Sequence, residues 1–440
     1  MLLAYSKAYL SHVYPANPFY GLISAMRIAH KIMALTTATL LSLGVCLDAF
    51  ATNSEALSHS KSAVANVEDA LNEGVGFSCE PSRLSHIKLD MAAYLASLGI
   101  APGLVIAKTD LSKGLLTFTL NTPKGDFDTL QLKMRPEYAI NDSIVLIPNG
   151  HGERGKLQKI LTVSKKEILL ALLQHGRLTE FSGSDCNLNA LKEQVNVRQN
   201  IVAWSEHLNW TWPDGGAAEW NPQYWHRGTP LVHVKLHAAF GDAFNHQNQY
   251  AIGCYTAAKI VMVQGVLDYY RRIKKNQLQL KLIEDRLVVD KDPLVDVEPS
   301  IMWSFEKDYD SKNLTQLGKL LTIQQNIAPK NFVPGDWAYI LNTDPISSQK
   351  TGYEGSNTIY LGRNKFVDYY NDNNHAYTYH EKLDEVYQWR NGVFSRSRDV
   401  AKIKPLSSDD FERLGKSPSE NGLMQSIRVF PMSMVKLGFK

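Results

Sequence analysis

Tyr250-Ala-Ile-Gly-Cys-Tyr-Thr-Ala-Ala-Lys-Ile-Val-Met-Val-Gln-Gly-Val-Leu-Asp268 is the stretch of sequence that decides the fold. Cys254 follows Gly253 and opens an almost wholly apolar run, which predicts a buried helix reaching about Lys275. A thiol at a helix N-terminus meets the positive end of the helix dipole and free backbone N–H groups, which favour the thiolate. Cys254 is therefore a candidate nucleophile. The alternative is an inert, packed cysteine, because free cysteines are among the most buried residues.

The elements on either side of this helix define a fold class. Residues 188–209 predict an amphipathic helix and residues 231–236 a strand. Residues 332–341 predict a tight turn feeding a strand, and further strands are predicted at 357–362 and 365–370. The last two strands form a hairpin around Arg363-Asn364. A cysteine helix followed by antiparallel strands is the order found in papain-like α+β proteins, so we predict a papain-like domain over residues 181–440.

The preceding segment predicts a separate, smaller module. A chain of 440 residues exceeds what a single hydrophobic core usually supports, so two domains are expected. Between residues 76 and 180 we predict a small α+β module, with helices at 84–98 and 165–178 and strands at 104–107, 115–120, 129–134 and 143–148. We expect this module to bind or position a partner.

The N-terminal residues predict export. Met26 to Lys31 are basic, Ile32 to Leu47 are apolar, and Ala49-Phe50-Ala51 fits a signal-peptidase site. Residues 1–51 are thus predicted to be a signal peptide, with Met26 as a second candidate start, and residues 52–75 a linker. The apolar run is too short to predict a membrane span, so the mature protein is expected to be periplasmic or secreted, with no stable span after cleavage.

Export changes what the cysteines can do. A chain that begins after Ala51 keeps Cys79, Cys186 and Cys254. In an oxidising compartment we expect Cys79 and Cys186 to pair and Cys254 to stay free. The alternative is that all three are reduced and buried.

Composition excludes several classes of partner. The net charge of +3 predicts no nucleic-acid binding, and 44% apolar with 21% charged residues is typical of a globular protein. No Cys/His metal spacing, glycine-rich phosphate loop or dinucleotide fingerprint occurs, so no cofactor and no metal are expected. The oligomeric state is not predicted by these features.

Five blocks, in order, resemble the bacterial protein-glutamine gamma-glutamyltransferase (transglutaminase) family of spore-forming bacilli. They cover about residues 185–370 and are Asn200-Ile-Val-Ala203, Tyr224-Trp-His-Arg227, Tyr250-Ala-Ile-Gly-Cys-Tyr-Thr-Ala-Ala258, Pro334-Gly-Asp-Trp-Ala-Tyr-Ile-Leu-Asn342 and Gly352-Tyr-Glu-Gly-Ser-Asn-Thr-Ile-Tyr-Leu-Gly362. The resemblance implies a nucleophilic Cys254 that forms a thioester from a protein glutamine and passes it to a lysine amine or to water. Protein substrates bearing glutamine and lysine are the implied partners.

The chain departs from the family pattern at the expected base. Gly253 and Ser356 stand where the family carries glutamates. Glu354, two residues before Ser356, is one candidate replacement. His375 is the other, since an imidazole beside a thiol can move its proton; Tyr369 and His380 are alternative positions for this group.

Two rival functions stay open at this point. One is a different thiol reaction on the same fold, as in an exported cysteine peptidase or a glutamine deamidase. The other is a non-catalytic binding protein with a degenerate site, because the family glutamates are replaced.

Overall fold

The computed structural model describes the chain from residue 73 onwards, with gaps. The described residues are 73–123, 126–148, 156–210, 218–226, 228–289, 322–325, 327–342, 347–349, 353, 355–367, 376–390, 406–414 and 424–429. All of them belong to one compact unit, Val64–Lys440. The predicted signal peptide and nearly all of the predicted linker lie outside the described residues.

The first part of this unit is a four-stranded sheet with helices and a separate hairpin. In chain order its elements are β1 (Gly74–Ser78), α1 (Pro81–Ser97), β2 (Val105–Asp110), β3 (Leu115–Leu120), β4 (Ser143–Pro148), β5 (Leu157–Thr162), α2 (Lys165–Leu172) and β6 (Leu178–Ser182). The sheet has the order β2-β3-β1-β6, and only β1 and β6 are parallel. Strands β4 and β5 pair with each other.

The middle of the chain supplies the helices around Cys254. The helices are α3 (Leu188–Ser205), α4 (Leu236–Asn245), α5 (Cys254–Asp268) and α6 (Gln277–Val289). Two short strands, β7 (Trp225–His226) and β8 (Thr229–Pro230), lie between α3 and α4 in the chain. A π-helical turn, Tyr269–Ile273, extends α5. Every residue of α5 is buried, so this helix is surrounded by protein on all sides, as its uninterrupted apolar sequence predicts.

The remaining strands form a six-stranded antiparallel sheet. Its elements are β9 (Thr322–Gln325), β10 (Trp337–Leu341), β11 (Gly355–Gly362), β12 (Lys365–Val367), β13 (Ala376–Tyr377), α7 (Tyr379–Arg390), α8 (Ser408–Leu414) and β14 (Met424–Val429). The strand order is β13-β12-β11-β10-β14-β9.

Both faces of the central strand β11 are covered. Ile359 and Leu361 belong to the main core with α5, whereas Tyr360 packs in a second apolar cluster with Leu383 and Val386 of α7. The alternation of side chains along a strand explains this division. A helix opened by Cys254 and packed on an antiparallel sheet confirms the predicted α+β class.

Most predicted elements are confirmed, but three are wrong. Residues 129–134 form a 3₁₀ helix rather than a strand, because the Asp128 carboxylate accepts from the backbone N–H of Leu130 and turns the chain. Residues 231–235 are a loop, and Leu236 is already the first residue of α4. The helix predicted to reach residue 178 ends at Leu172, and β6 follows.

Residues on both sides of position 180 share one core. A single apolar cluster extends from Val75 to Val367. Buried Arg177, just before β6, donates to Asp336, just before β10, at 2.5 and 3.0 Å. The domain boundary at 180 stays a prediction, and the two segments it would separate are in close contact.

The predicted cysteine pairing is confirmed. Cys79, after β1, forms a disulfide with Cys186, just before α3, and among the described residues Cys254 is the free cysteine. None of the described helices combines the length and apolar character needed to cross a membrane.

Candidate active site

Cys254 is the first residue of α5, and Gly253 precedes it in an extended conformation with φ −73° and ψ 160°. The first backbone N–H groups of a helix have no partner within the helix, and in α5 these groups belong to the turn that Cys254 begins. The Cys254 side chain is 7% exposed. The thiol therefore lies in a largely dry position at the positive end of a buried helix dipole.

Asn357 of β11 faces this thiol. Its Nδ2 lies 3.6 Å from the Cys254 sulfur, and its Oδ1 accepts a hydrogen bond of 2.9 Å from Trp337 Nε1. Trp337 of β10 pairs with Ile359 of β11, so that Trp337 and Asn357 lie on the same face of the sheet. The indole also packs edge-on against Tyr255 at 5.3 Å.

Ser356 lies on the opposite face of β11. It pairs with Ile340, which belongs to the second apolar cluster under α7. The Ser356 side chain is fully buried and its hydroxyl has no hydrogen-bond partner among the described residues. The residue that stands in place of a family glutamate thus points away from α5.

A polar network fixes the segment that leads into Cys254. Buried Asp242 of α4 accepts hydrogen bonds from the Tyr250 hydroxyl at 2.6 Å and from Asn221 Nδ2 at 2.8 Å. His246 Nδ1 lies 2.6 Å from the other carboxylate oxygen. Burial, followed by the hydrogen bond to Asp242, raises the pKa of Tyr250 well above its usual value, so Tyr250 is a neutral donor.

Asp336 organises the turn that starts β10. Its carboxylate accepts from Arg177, from Arg198 Nη1 at 2.9 Å, and from the backbone N–H of Val333 at 2.8 Å. Burial would raise the pKa of Asp336, but the two guanidinium groups hold it below its usual value. Asp336 is therefore a structural residue of this turn.

The predicted proton-transfer residues Glu354 and His375 lie outside the described residues, as does Tyr369. His380 is described and is exposed on α7, where its ring stacks on Phe411 at 4.0 Å. Glu354 and His375 therefore stay predictions. His207 and His237 have structural partners in Gln158 and Glu284, at 2.8 and 2.7 Å.

Sequence reasoning missed Asn357 and Trp337 as site residues. Both lie in the blocks quoted above, but Asn357 is 103 residues from Cys254 in the chain. Strand alternation shows only that Ser356 and Asn357 face opposite sides, and it does not tell which of the two meets Cys254.

These features define a class of protein: an α+β chain in which a free cysteine opens a buried helix and faces an amide on an antiparallel sheet. The family model described as protein-glutamine gamma-glutamyltransferase matches residues 144–390, more than half of the chain, and the chain belongs to this family. The match confirms the predicted resemblance and extends it beyond residues 185–370. The protein is therefore a member of a family of glutamine-modifying acyltransferases.

One solved structure is similar over much of the chain. It is "Transglutaminase from Geobacillus stearothermophilus (without C-terminal extension)", with 17% sequence identity and a TM-score of 0.34, over 57% of this chain and 96% of that chain. No curated protein matches the sequence.

Proposed function

We propose that this protein transfers the γ-glutamyl group of a protein glutamine to a primary amine through a thioester on Cys254. The thiolate attacks the carboxamide carbon, the C–N bond breaks, and ammonia leaves with one added proton. A lysine amine then attacks the thioester, an isopeptide bond forms, one amine proton is released, and Cys254 leaves as the thiolate. Attack by water in place of lysine gives glutamate.

The observation that carries this proposal is the position of Cys254. It is a free cysteine at the N-terminus of a buried helix, with an amide N–H donor 3.6 Å from its sulfur. Helix dipole and N–H donors both favour the thiolate, which is the form that attacks a carbonyl. Membership of the family supplies the acyl donor, a protein glutamine.

Incubation of the purified protein with a glutamine-rich unfolded protein and a fluorescent primary amine tests the proposal. We expect label incorporation together with ammonia release, and loss of both in Cys254→Ala. Ammonia release without incorporation would indicate a deamidase, and cleavage of the acceptor chain a peptidase. A protein that gives none of these products while Cys254 resists iodoacetamide would be a binding protein, and the proposal would be wrong.

We propose Glu354 or His375 as the proton-transfer group. Gly253 has no side chain and Ser356 lies on the far face of β11, so neither replaces the family glutamates. Glu354→Gln and His375→Ala should be measured separately, and loss of the acting group should reduce turnover by about 10²-fold. If neither substitution changes turnover, the base is a different residue.

We also propose export to the periplasm or the medium. The Cys79–Cys186 disulfide supports an oxidising compartment. Sequencing the N-terminus of the mature protein should give Thr52, and an uncleaved cytosolic chain would contradict export.

A further inference from the structure

The orientation of the Asn357 amide is fixed by its neighbour. An indole N–H can only donate, so the atom that faces Trp337 Nε1 at 2.9 Å must be the carbonyl oxygen Oδ1. The NH₂ group is then directed at the Cys254 sulfur, 3.6 Å away. Asn357 is 5% exposed and Trp337 is fully buried, so water competes little for either bond.

We propose that Asn357 is a catalytic residue that stabilises the Cys254 thiolate, and that Trp337 is the positioning residue that keeps its amide in the donating orientation. This inference rests on the proposed role of Cys254 as nucleophile. A hydrogen bond to a charged acceptor is about twice as strong as one to a neutral acceptor, so the contact favours the thiolate over the thiol. Asn357 and Trp337 are both uncharged, so they add no negative charge beside the sulfur.

This role is distinct from that of the base. A carboxamide does not take up a proton near neutral pH, so Asn357 cannot accept the proton of the thiol. The amide stabilises the ion, and a separate titratable group removes the proton. In this division, stabilisation of the thiolate does not require either of the family glutamates that Gly253 and Ser356 replace.

Packing sets the distance between the amide and the sulfur. Tyr255, the residue after Cys254, contacts the Trp337 ring edge-on at 5.3 Å, which joins the first turn of α5 to β10. Strand pairing then joins β10 to β11. The donor Asn357 lies on β11 and the acceptor Cys254 on α5, and contacts of the Trp337 indole hold these two elements together.

Several charged side chains on α5 and on the helices that pack against it have partners of their own. Lys259 of α5 lies over the Tyr255 ring at 5.3 Å. Further pairs are Asp242 of α4 with Tyr250, Asp268 of α5 with Arg272, Arg198 of α3 with Asp336, Glu193 of α3 with Lys274, Glu284 of α6 with His237, and Lys281 with Asp285 of α6. The Asn357 amide differs from these groups in that it donates to the Cys254 sulfur.

The rate of alkylation of Cys254 by iodoacetamide, followed by peptide mass spectrometry across pH 5 to 10, tests the inference. In Asn357→Ala we expect the profile to move to higher pH and alkylation at neutral pH to slow by about tenfold, as expected for loss of a charge-assisted bond. Asn357→Asp should move the profile further, because it places a negative charge beside the thiolate. Trp337→Phe should give a smaller shift in the same direction, since the ring is kept and only the N–H is lost.

Two substitutions serve as matched controls. Ser356→Ala changes a buried residue of the same strand that faces the other side, and Trp204→Phe removes an indole N–H that donates to Asp268 at 2.9 Å. Neither should move the profile. Unchanged profiles in Asn357→Ala and Asn357→Asp, in protein shown to be folded by circular dichroism, would overturn the inference.

Alkylation and transfer are measured separately, so the two hypotheses can fail separately. A shifted alkylation profile without amine incorporation would support the role of Asn357 and refute the transferase. Amine incorporation that persists in Asn357→Ala, with an unshifted alkylation profile, would support the transferase and refute the role of Asn357.

Discussion

Glu167 of α2 is a buried carboxylate that meets the turn between β11 and β12. Its Oε1 accepts a 2.6 Å hydrogen bond from the backbone N–H of Arg363. Arg363 and Asn364 have φ values of 58° and 52°, the left-handed pair of a type I′ hairpin turn. Burial raises the pKa of Glu167 to about 7, although Arg363 opposes the shift. One side chain thus ties the first part of the unit to the sheet that carries Asn357.

This raised pKa predicts a pH dependence of stability. The folded state keeps its proton up to about pH 7, whereas the unfolded chain releases it near the usual value of 4.5. The stabilisation is complete below about pH 4.5 and is lost as the pH rises through about 7. Glu167→Gln keeps an acceptor and removes the titration. The unfolding free energy of the variant minus that of the wild type should therefore be about 1–3 kcal/mol larger at pH 8 than at pH 5.

Urea unfolding at the two pH values measures this difference. Exposed Glu180 supplies the control, Glu180→Gln, because a substitution at the surface usually changes stability by less than about 0.5 kcal/mol. Parallel pH curves for Glu167→Gln and the wild type would show that the buried carboxylate does not titrate in this range.

At the scale of elements, the contact between α3 and α5 depends on one glycine. A Cβ on Gly265 of α5 would lie 2.5 Å from Ile201 Cγ1 and 2.8 Å from Ile201 Cα. The close approach also lets Asn200 Nδ2 donate to the Gly265 carbonyl at 2.7 Å. Because α5 carries Cys254 at its first residue, this contact helps to set the position of the thiol.

Gly265→Ala should therefore destabilise the protein by about 1–3 kcal/mol through overpacking, and lower activity as α5 moves. Gly241 of α4 is the matched control, since a Cβ there meets no atom within 4 Å. Gly241→Ala should stabilise the protein by about 0.5–1 kcal/mol through helix propensity. If the packing argument holds, the melting temperature falls in Gly265→Ala and rises in Gly241→Ala, each relative to the wild type.

The elements also show which parts of the fold were predictable. The apolar run of α5, strand β10 and the Arg363-Asn364 hairpin follow from local pattern, and each was predicted. The sequence at 129–134 also predicts a strand. There the Asp128 side chain gives the backbone N–H of Leu130 a local hydrogen bond in place of pairing with another strand. The Asn357–Cys254 contact lies beyond local reasoning, because it depends on the register of β11 against a helix 103 residues earlier.

At the scale of the whole molecule, the Cys79–Cys186 disulfide closes a chain segment with a sequence separation of 107. It joins the end of β1 to the start of α3, and α3 packs on the Cys254 helix at Gly265. A crosslink of this span reduces the entropy of the unfolded chain and is expected to stabilise the fold by about 4–5 kcal/mol. Oxidation of this pair therefore supports the whole unit, whereas the chemistry needs Cys254 reduced.

This division of roles predicts different effects of reductant on stability and activity. The double substitution Cys79→Ala and Cys186→Ala should lower the melting temperature by about 10 °C and leave alkylation of Cys254 unchanged at 25 °C. Wild-type protein melted in dithiothreitol should approach the double variant, and the double variant should not respond to dithiothreitol. A double variant that melts like the oxidised wild type would show that the surrounding core, and not the disulfide, holds β1 and α3 together.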